Sequence, residues 1–345
     1  MIKVAIKSIG KTFSIENSQE GNWNVQFDNS KNMLLENVVT NKKKKQFYKR
    51  TTVLSLYAIK EALQNANIDL NNYDRNRIGL YSFEKESNNI KIEDTYKKLI
   101  QFCQQIGTRE ESFSDVFSKC YSLSDLFKIM PNLSNHLISA ELGIEGANKT
   151  LLTGEGADLQ SLIDASNDVH ENRFDMAICG SSTSNYSVLE QKQMAEFYNY
   201  NLSEKEIKES SVYIVLGNDN DSSLYIRGGK SFYIKEHFNF LEKKIYFESL
   251  FDNFFKANNS LSRQEIDFIL FLDQYNKPST IIESEIFKDL FINSEIVTPR
   301  LDNNNNICNG FFYLSLLYNN IYDFKNAIVI QKNHNNIITF ILITK

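Results

Sequence analysis

The chain has 345 residues, 42% of them hydrophobic and 12% aromatic, which is enough apolar material to bury a large core as one large domain or two ordinary ones. Its formal net charge of -5, from Lys+Arg 38 against Asp+Glu 43, argues against nucleic acid as the main partner, which calls for a basic balance or a concentrated basic face. No window reaches the roughly 18 uninterrupted apolar residues of a membrane span, and the opening MIKVAIKSIG is too short and too charged for a secretion signal, so a cytoplasmic location is expected.

Strand-like IKVAIKSI opens the chain, and a polar, Asn-rich stretch follows it. In TTVLSLYAIKEALQNANI, residues Val53, Leu54, Tyr57, Ala58, Ala62 and Leu63 recur at helical spacing. RIGLYSF reads as a strand and EDTYKKLIQFCQQI as a helix; from MPNLSNHLISAELGI onward, helix and strand alternate. That block gives a helix, a strand over 149–153, a Gly154-Glu155-Gly156 elbow, a helix over 158–170 and the strand MAICG. Such alternation predicts an α/β protein with a largely parallel sheet. The second half continues with strands SSVYIVL, LYIRGG and IDFILFL, helices YFESLFDNFFKAN, STIIESEIFKDLF and GFFYLSLLYNNI, and a terminal hairpin from NAIVIQ and NIITFILIT.

The four cysteines, Cys103, Cys120, Cys179 and Cys308, are scattered without CxxC spacing and read as reduced apolar fillers. The histidines His136, His170, His237 and His334 form no HxxxH or HExxH pattern, so neither a metal nor a cofactor is expected. The run Lys42, Lys43, Lys44 and Lys45, followed by Lys49 and Arg50, reads as a solvated face, or else as a dock for an acidic protein.

A strand running into a Gly-x-Gly elbow and then a helix usually presents a reactive side chain, because the glycines allow a sharp turn and the helix N-terminus stabilises negative charge. Here the presented residue is Glu155. Around it, PNLSNHLISAELGIEG and LLTGEGADLQSLIDASNDVHENRFDMAICGSSTS resemble the Pro-Asn helix entry, nucleophile strand, elbow, helix and following strand of a β-ketoacyl synthase. ESSVYIVL, IDFILFLDQYNKPSTIIESEIFKDLF and LDNNNNICNGFFYLSLLYNNI are similar to later segments of that family. The resemblance implies the thiolase fold, five layers αβαβα built from two similar halves, taken as 1–217 and 218–345.

The family's cysteine nucleophile and two histidines fall, on this resemblance, at Glu155, Leu272 and Ile307, and its glycine-rich loop at QKNHNN, Gln331 to Asn336. No catalytic residue is therefore expected, since a carboxylate as acyl acceptor would form a mixed anhydride that hydrolyses. Glu155 is left with three readings: a helix cap, a base or decarboxylation aid, or a group shaping a neighbour's active site. The resemblance implies a chain length factor, the inactive partner of an active ketosynthase in type II polyketide systems, here of the aryl polyene or flexirubin class. A heterodimer and an acyl carrier protein are the implied partners, the carrier docking through Lys42 to Lys45. In EDTYKKLIQFCQQI, Tyr96, Ile100 and Cys103 share one helical face, which either packs into the protein's own core or, as the resemblance implies, projects across the dimer interface and forms the tunnel wall. The alternatives are an atypical decarboxylase or condensing enzyme using Glu155, and a homodimeric acyl-binding scaffold.

Overall fold

The structure is a computed structural model that describes residues 2–17, 22–26, 33–40, 42–84, 100–101, 104, 130, 132–151, 157–183, 209–218, 222–235, 237–258, 261–272, 278–298, 300–301, 309–319, 321–332 and 336–345. The first five long strands are β1 (Val4–Lys11), β4 (Ile78–Glu84), β5 (Asn148–Leu151), β6 (Met176–Thr183) and β7 (Ser210–Gly217). Among the described residues, helices α1 (Arg50–Asn65), α2 (Leu133–Leu142) and α3 (Ala157–His170) lie between them. The second five strands are β8 (Tyr225–Tyr233), β9 (Phe268–Leu272), β10 (Glu295–Val297), β12 (Asn326–Lys332) and β13 (Ile337–Thr344), with α4 (Phe240–Asn258), α5 (Pro278–Leu290) and α6 (Asn309–Tyr318) between them. A small sheet of β2 (Ser14–Asn17), β3 (Asn22–Gln26) and β11 (Arg300–Leu301) was not expected from the sequence.

The first ten strands named form one sheet in the order β10-β9-β12-β13-β8-β1-β7-β6-β4-β5. Within it, β5-β4-β6-β7-β1 and β10-β9-β12-β13-β8 are the same arrangement used twice. In each set the strand second in chain order pairs in parallel with the third and the fourth, and the fifth runs antiparallel between the fourth and the first. The two sets join edge to edge where Val4 and Ala5 of β1 meet Ile226 and Tyr225 of β8.

Strand alternation sorts the side chains into three cores and hence five layers. One core joins inward residues of both sets, such as Ala177, Cys179, Val212, Ile214, Phe268, Leu270, Ala327 and Val329, to Leu159, Leu162 and Ile163 of α3 and Phe311, Phe312 and Leu314 of α6. On the first set's opposite face, Ile78, Leu80, Met176, Ile178 and Val215 pack against α1 and α2. On the second set's, Ile269, Phe271, Ile328, Ile330 and Phe340 pack against α4 and α5. The expected αβαβα thiolase architecture is therefore observed. No helix among the described residues is long and apolar enough to cross a membrane.

Two helices of this Asn-rich chain are closed by asparagine, and α2 by Gly143 (φ 68°). All three described non-glycine residues with positive φ are asparagines, Asn67 (53°), Asn172 (56°) and Asn336 (57°). Asn67 follows α1, where Ile68 N–H donates to Leu63 O at 2.9 Å, and Asn172 follows α3, where Arg173 N–H donates to Asp168 O at 2.9 Å. Asparagine tolerates this left-handed conformation better than other non-glycine residues, so it closes helices where glycine is scarce.

One expectation needs correction. The strand before the elbow reads as buried and central, but β5 ends the ten-stranded order, with Asn148 and Lys149 exposed. Its apolar residues Leu152 and Thr153, read as strand from the sequence, lie outside the described residues. Helix α4 begins at Phe240, earlier than its apolar periodicity from Tyr246 indicates.

Candidate functional site

Parallel strands deliver their C-terminal ends to one side of a sheet, and helices that follow them begin there. Leu272 ends β9, 2% exposed, on the inward face with Phe268 and Leu270. Its partner in register on β12 is Gln331, 1% exposed. Sequence analysis places the family's histidine at Leu272 and its glycine-rich loop from Gln331 onward, and the fold makes these two positions neighbours.

Gln331 lies beside a residue that sequence analysis passed over. Asp158 is the second residue of α3 and is 2% exposed. Its Oδ2 accepts a hydrogen bond from the Gly310 N–H, 2.6 Å away, in the first turn of α6. The two central helices, one from each half of the chain, therefore meet at their N-termini. The contact demands glycine, because a Cβ at position 310 would come within 2.7 Å of Asp158 Oδ2 and of Leu159 Cδ2. Burial pushes the Asp158 carboxyl up from 3.8 to about 6, against the opposing pull of the Gly310, Leu159 and Asp158 backbone N–H groups. The Gln331 amide also favours the charged form, without a well-formed hydrogen bond to Oδ1.

Helix α3 is fixed at both ends. Ser161 Oγ donates to Asp158 O at 2.7 Å and lies 3.3 Å from Cys179 Sγ on β6. Burial pushes the Cys179 thiol up, so it stays protonated and inert, as expected of an apolar filler. At the other end, Asp168 accepts from Tyr81 Oη at 2.5 Å, Lys149 Nζ at 3.1 Å and Arg173 Nη1 at 2.9 Å. Burial raises the Asp168 carboxyl, but these donors outweigh it and hold it below its ordinary range. Lys149 is on edge strand β5, so this cluster ties the sheet edge to the central helix.

Of the other sequence-derived positions, Glu155 and Ile307 lie outside the described residues, as do Tyr96 and Cys103. Ile100 is on a helical stretch and is 49% exposed. Lys42 to Lys45 begin a 3-10 helix, Lys42–Phe47, in which Lys45 Nζ lies 3.7 Å from Glu36 Oε1. Among the described residues no three His, Cys, Asp or Glu side chains group as a metal site, and no histidine is buried. Asp158 and Gln331 were legible only in part: an acid in the first turn of an elbow helix is a visible signal, whereas its contact with the other half is not.

No protein-family model matches the chain, and no curated protein matches it by sequence. Solved structures do match its fold. A β-ketoacyl synthase from Burkholderia phymatum STM815 superposes with a TM-score of 0.73 at 11% identity, covering 100% of both chains. The structure of the type II polyketide acyl-carrier protein AntF in complex with its ketosynthase AntDE, bound to the hexaketide, matches at 0.71 and 15%, over 100% of this chain and 99% of that one. A ketosynthase (ApeO) in complex with its chain length factor (ApeC) from Xenorhabdus doucetiae matches at 0.69 and 12%, over 99% and 98%. Together with the repeated strand order and the five layers, these matches show that the chain has the thiolase fold of the ketosynthases.

Proposed function

We propose that this protein is a non-catalytic chain length factor that pairs with an active β-ketoacyl synthase in type II polyketide biosynthesis. The observation that carries the reading is Leu272. An aliphatic side chain is buried at the end of β9, in register with Gln331, where the resemblance calls for an imidazole. A side chain without a titratable group offers no general acid–base help there. We take 1–217 and 218–345 as the halves, Glu155 and Ile307 as the other two altered positions, and an aryl polyene or flexirubin-like chain as the product class.

Edge strand β5 supports pairing, since an edge offers unpaired backbone groups that a partner strand covers. In this reading Tyr96, Ile100 and Cys103 face the shared tunnel, and Lys42 to Lys45 dock the carrier protein in the cytoplasm.

The test is co-expression with a synthase that has an intact Cys-His-His set and with its carrier protein. The two chains should co-purify in equal amounts, and this chain alone should leave malonyl carrier protein unchanged. Turnover of malonyl carrier protein by the isolated chain would select the decarboxylase reading through Glu155. A homodimer that ignores the synthase would select the scaffold. Within a complex, Ile100→Ala should lengthen the product and Ile100→Trp shorten it; an unchanged product with both removes this helix from the tunnel wall.

A further inference from the structure

Helices α3 and α6 come from different halves of the chain and touch at their first turns in the central layer. Each helix N-terminus carries about half a positive charge and N–H groups without helical partners. Two of them together make a place for an anion. The chain supplies that anion itself. Asp158 is 2% exposed and reaches from the first turn of α3 to the Gly310 N–H of α6 at 2.6 Å; burial raises its carboxyl, and the groups that oppose this and favour its charge are peptide N–H groups and the Gln331 amide.

We propose that Asp158 is a built-in anion that fills the site where the two central helices meet, and that it cancels the positive potential a nucleophile at the preceding elbow would need. The proposal deepens the non-catalytic reading: the altered residues remove the reacting groups, and Asp158 removes the field that would activate one. A thiol is activated at a helix N-terminus because the positive end favours thiolate. A carboxylate lodged in the same turn opposes it.

The experiment places a reporter thiol directly upstream of α3 with E155C, in a chain whose Cys103, Cys120 and Cys308 are changed to Ser. The pH dependence of its alkylation by iodoacetamide is compared in E155C, E155C/D158N and E155C/D158S. The reporter should titrate at or above the ordinary cysteine value of about 8.5 while Asp158 is present. It should fall by at least about one unit in both double variants, which is roughly tenfold faster alkylation at pH 7. Equal thiol titration with and without Asp158 overturns the proposal. The unsubstituted protein gives a second readout that needs no variant to fold: the Asp158 carboxyl carbon resonance should mark an ionised group at pH 8, above its titration near pH 6, and a carboxyl still protonated at pH 8 also overturns it. Neither readout depends on a synthase partner, so their failure is distinct from failure of the chain-length reading, which co-purification decides.

Discussion

The two outer layers of the molecule cover the same strand arrangement with opposite chemistry. Beneath α4 and α5 lie nine buried phenylalanines, with ring centroids as close as 4.7 Å for Phe254 and Phe340 and 5.0 Å for Phe251 and Phe291. Beneath α1 and α2 no phenylalanine among the described residues is buried. Hydroxyls connect the layers there instead: Tyr213 Oη donates to Ser55 Oγ at 3.1 Å, Ser55 Oγ meets Ser182 Oγ at 2.6 Å, and Ser182 Oγ meets Ser211 Oγ at 2.6 Å. Topology thus fixes where a helix must be covered but not with what. Aromatic rings hold α4 and α5 by area and shape, whereas the hydroxyl chain holds α1 by satisfying buried polar groups, each worth less but each costly to orphan.

The comparison is sharpened most by Phe251→Ala. Phe251 is 0% exposed and its ring packs on those of Phe287, Phe291 and Phe340. Its truncation should cost about 4 kcal/mol in urea unfolding; a loss under about 1 kcal/mol would mean that the aromatic layer does not carry the second half. Next is Glu283→Gln, in the same layer. Glu283 Oε1 receives Lys332 Nζ at 2.6 Å and Lys243 Nζ at 3.4 Å, and the glutamate is 0% exposed. Withdrawing its charge from two largely buried ammonium groups should cost about 3 kcal/mol by the same measurement.

In the central layer the sign reverses. Asp158 titrates near 6 in the folded protein and at 3.8 ordinarily, so the fold binds its proton more tightly than the unfolded chain does. Its contribution to stability is fully present below about pH 4 and is lost as pH rises through 6. Asp158→Asn should therefore raise stability by about 3 kcal/mol at pH 8, with the gain vanishing by pH 4 in paired melts. A gain of equal size at both pH values would assign it to packing. The smallest effect is expected from Ser182→Ala, about 1 kcal/mol, because Ser55 keeps Tyr213 and Ser211 keeps the Ser181 carbonyl. A loss matching that of Phe251→Ala would erase the contrast between the layers.

The alternating grammar was legible because strands such as Phe268–Leu272 and helices such as α3 announce themselves by apolar spacing. The internal repeat was not. The halves share strand order while one fills its outer layer with phenylalanine and the other with leucine, isoleucine and valine beside a chain of hydroxyls, so no residue-level similarity survives. That β5 is an edge was hidden because sheet order is decided by pairing across the chain, not by the four residues of the strand. At the site, Leu272 was readable from its segment, but Asp158 and Gln331 gain meaning only when the halves close on one another. The asparagines were read as loop bias, and Asn67, Asn172 and Asn336 show a second use that their tolerance of left-handed backbone makes intelligible.

Strand β1 lies between β7 and β8, bonded to residues far along the chain: Ser211 N–H donates to Thr12 Oγ1 across 199 positions, and Ser222 Oγ to Ile6 O across 216. At a synthesis rate of 5–20 residues per second, β1 emerges from the ribosome about 10–40 s before either neighbour exists. During that time Val4, Ala5 and Ile6, all 0% exposed in the folded protein, have no native strand to pair with. Folding of this molecule is therefore gated by the arrival of its middle, and an apolar first strand kept waiting is the segment that a holding chaperone would be expected to grip.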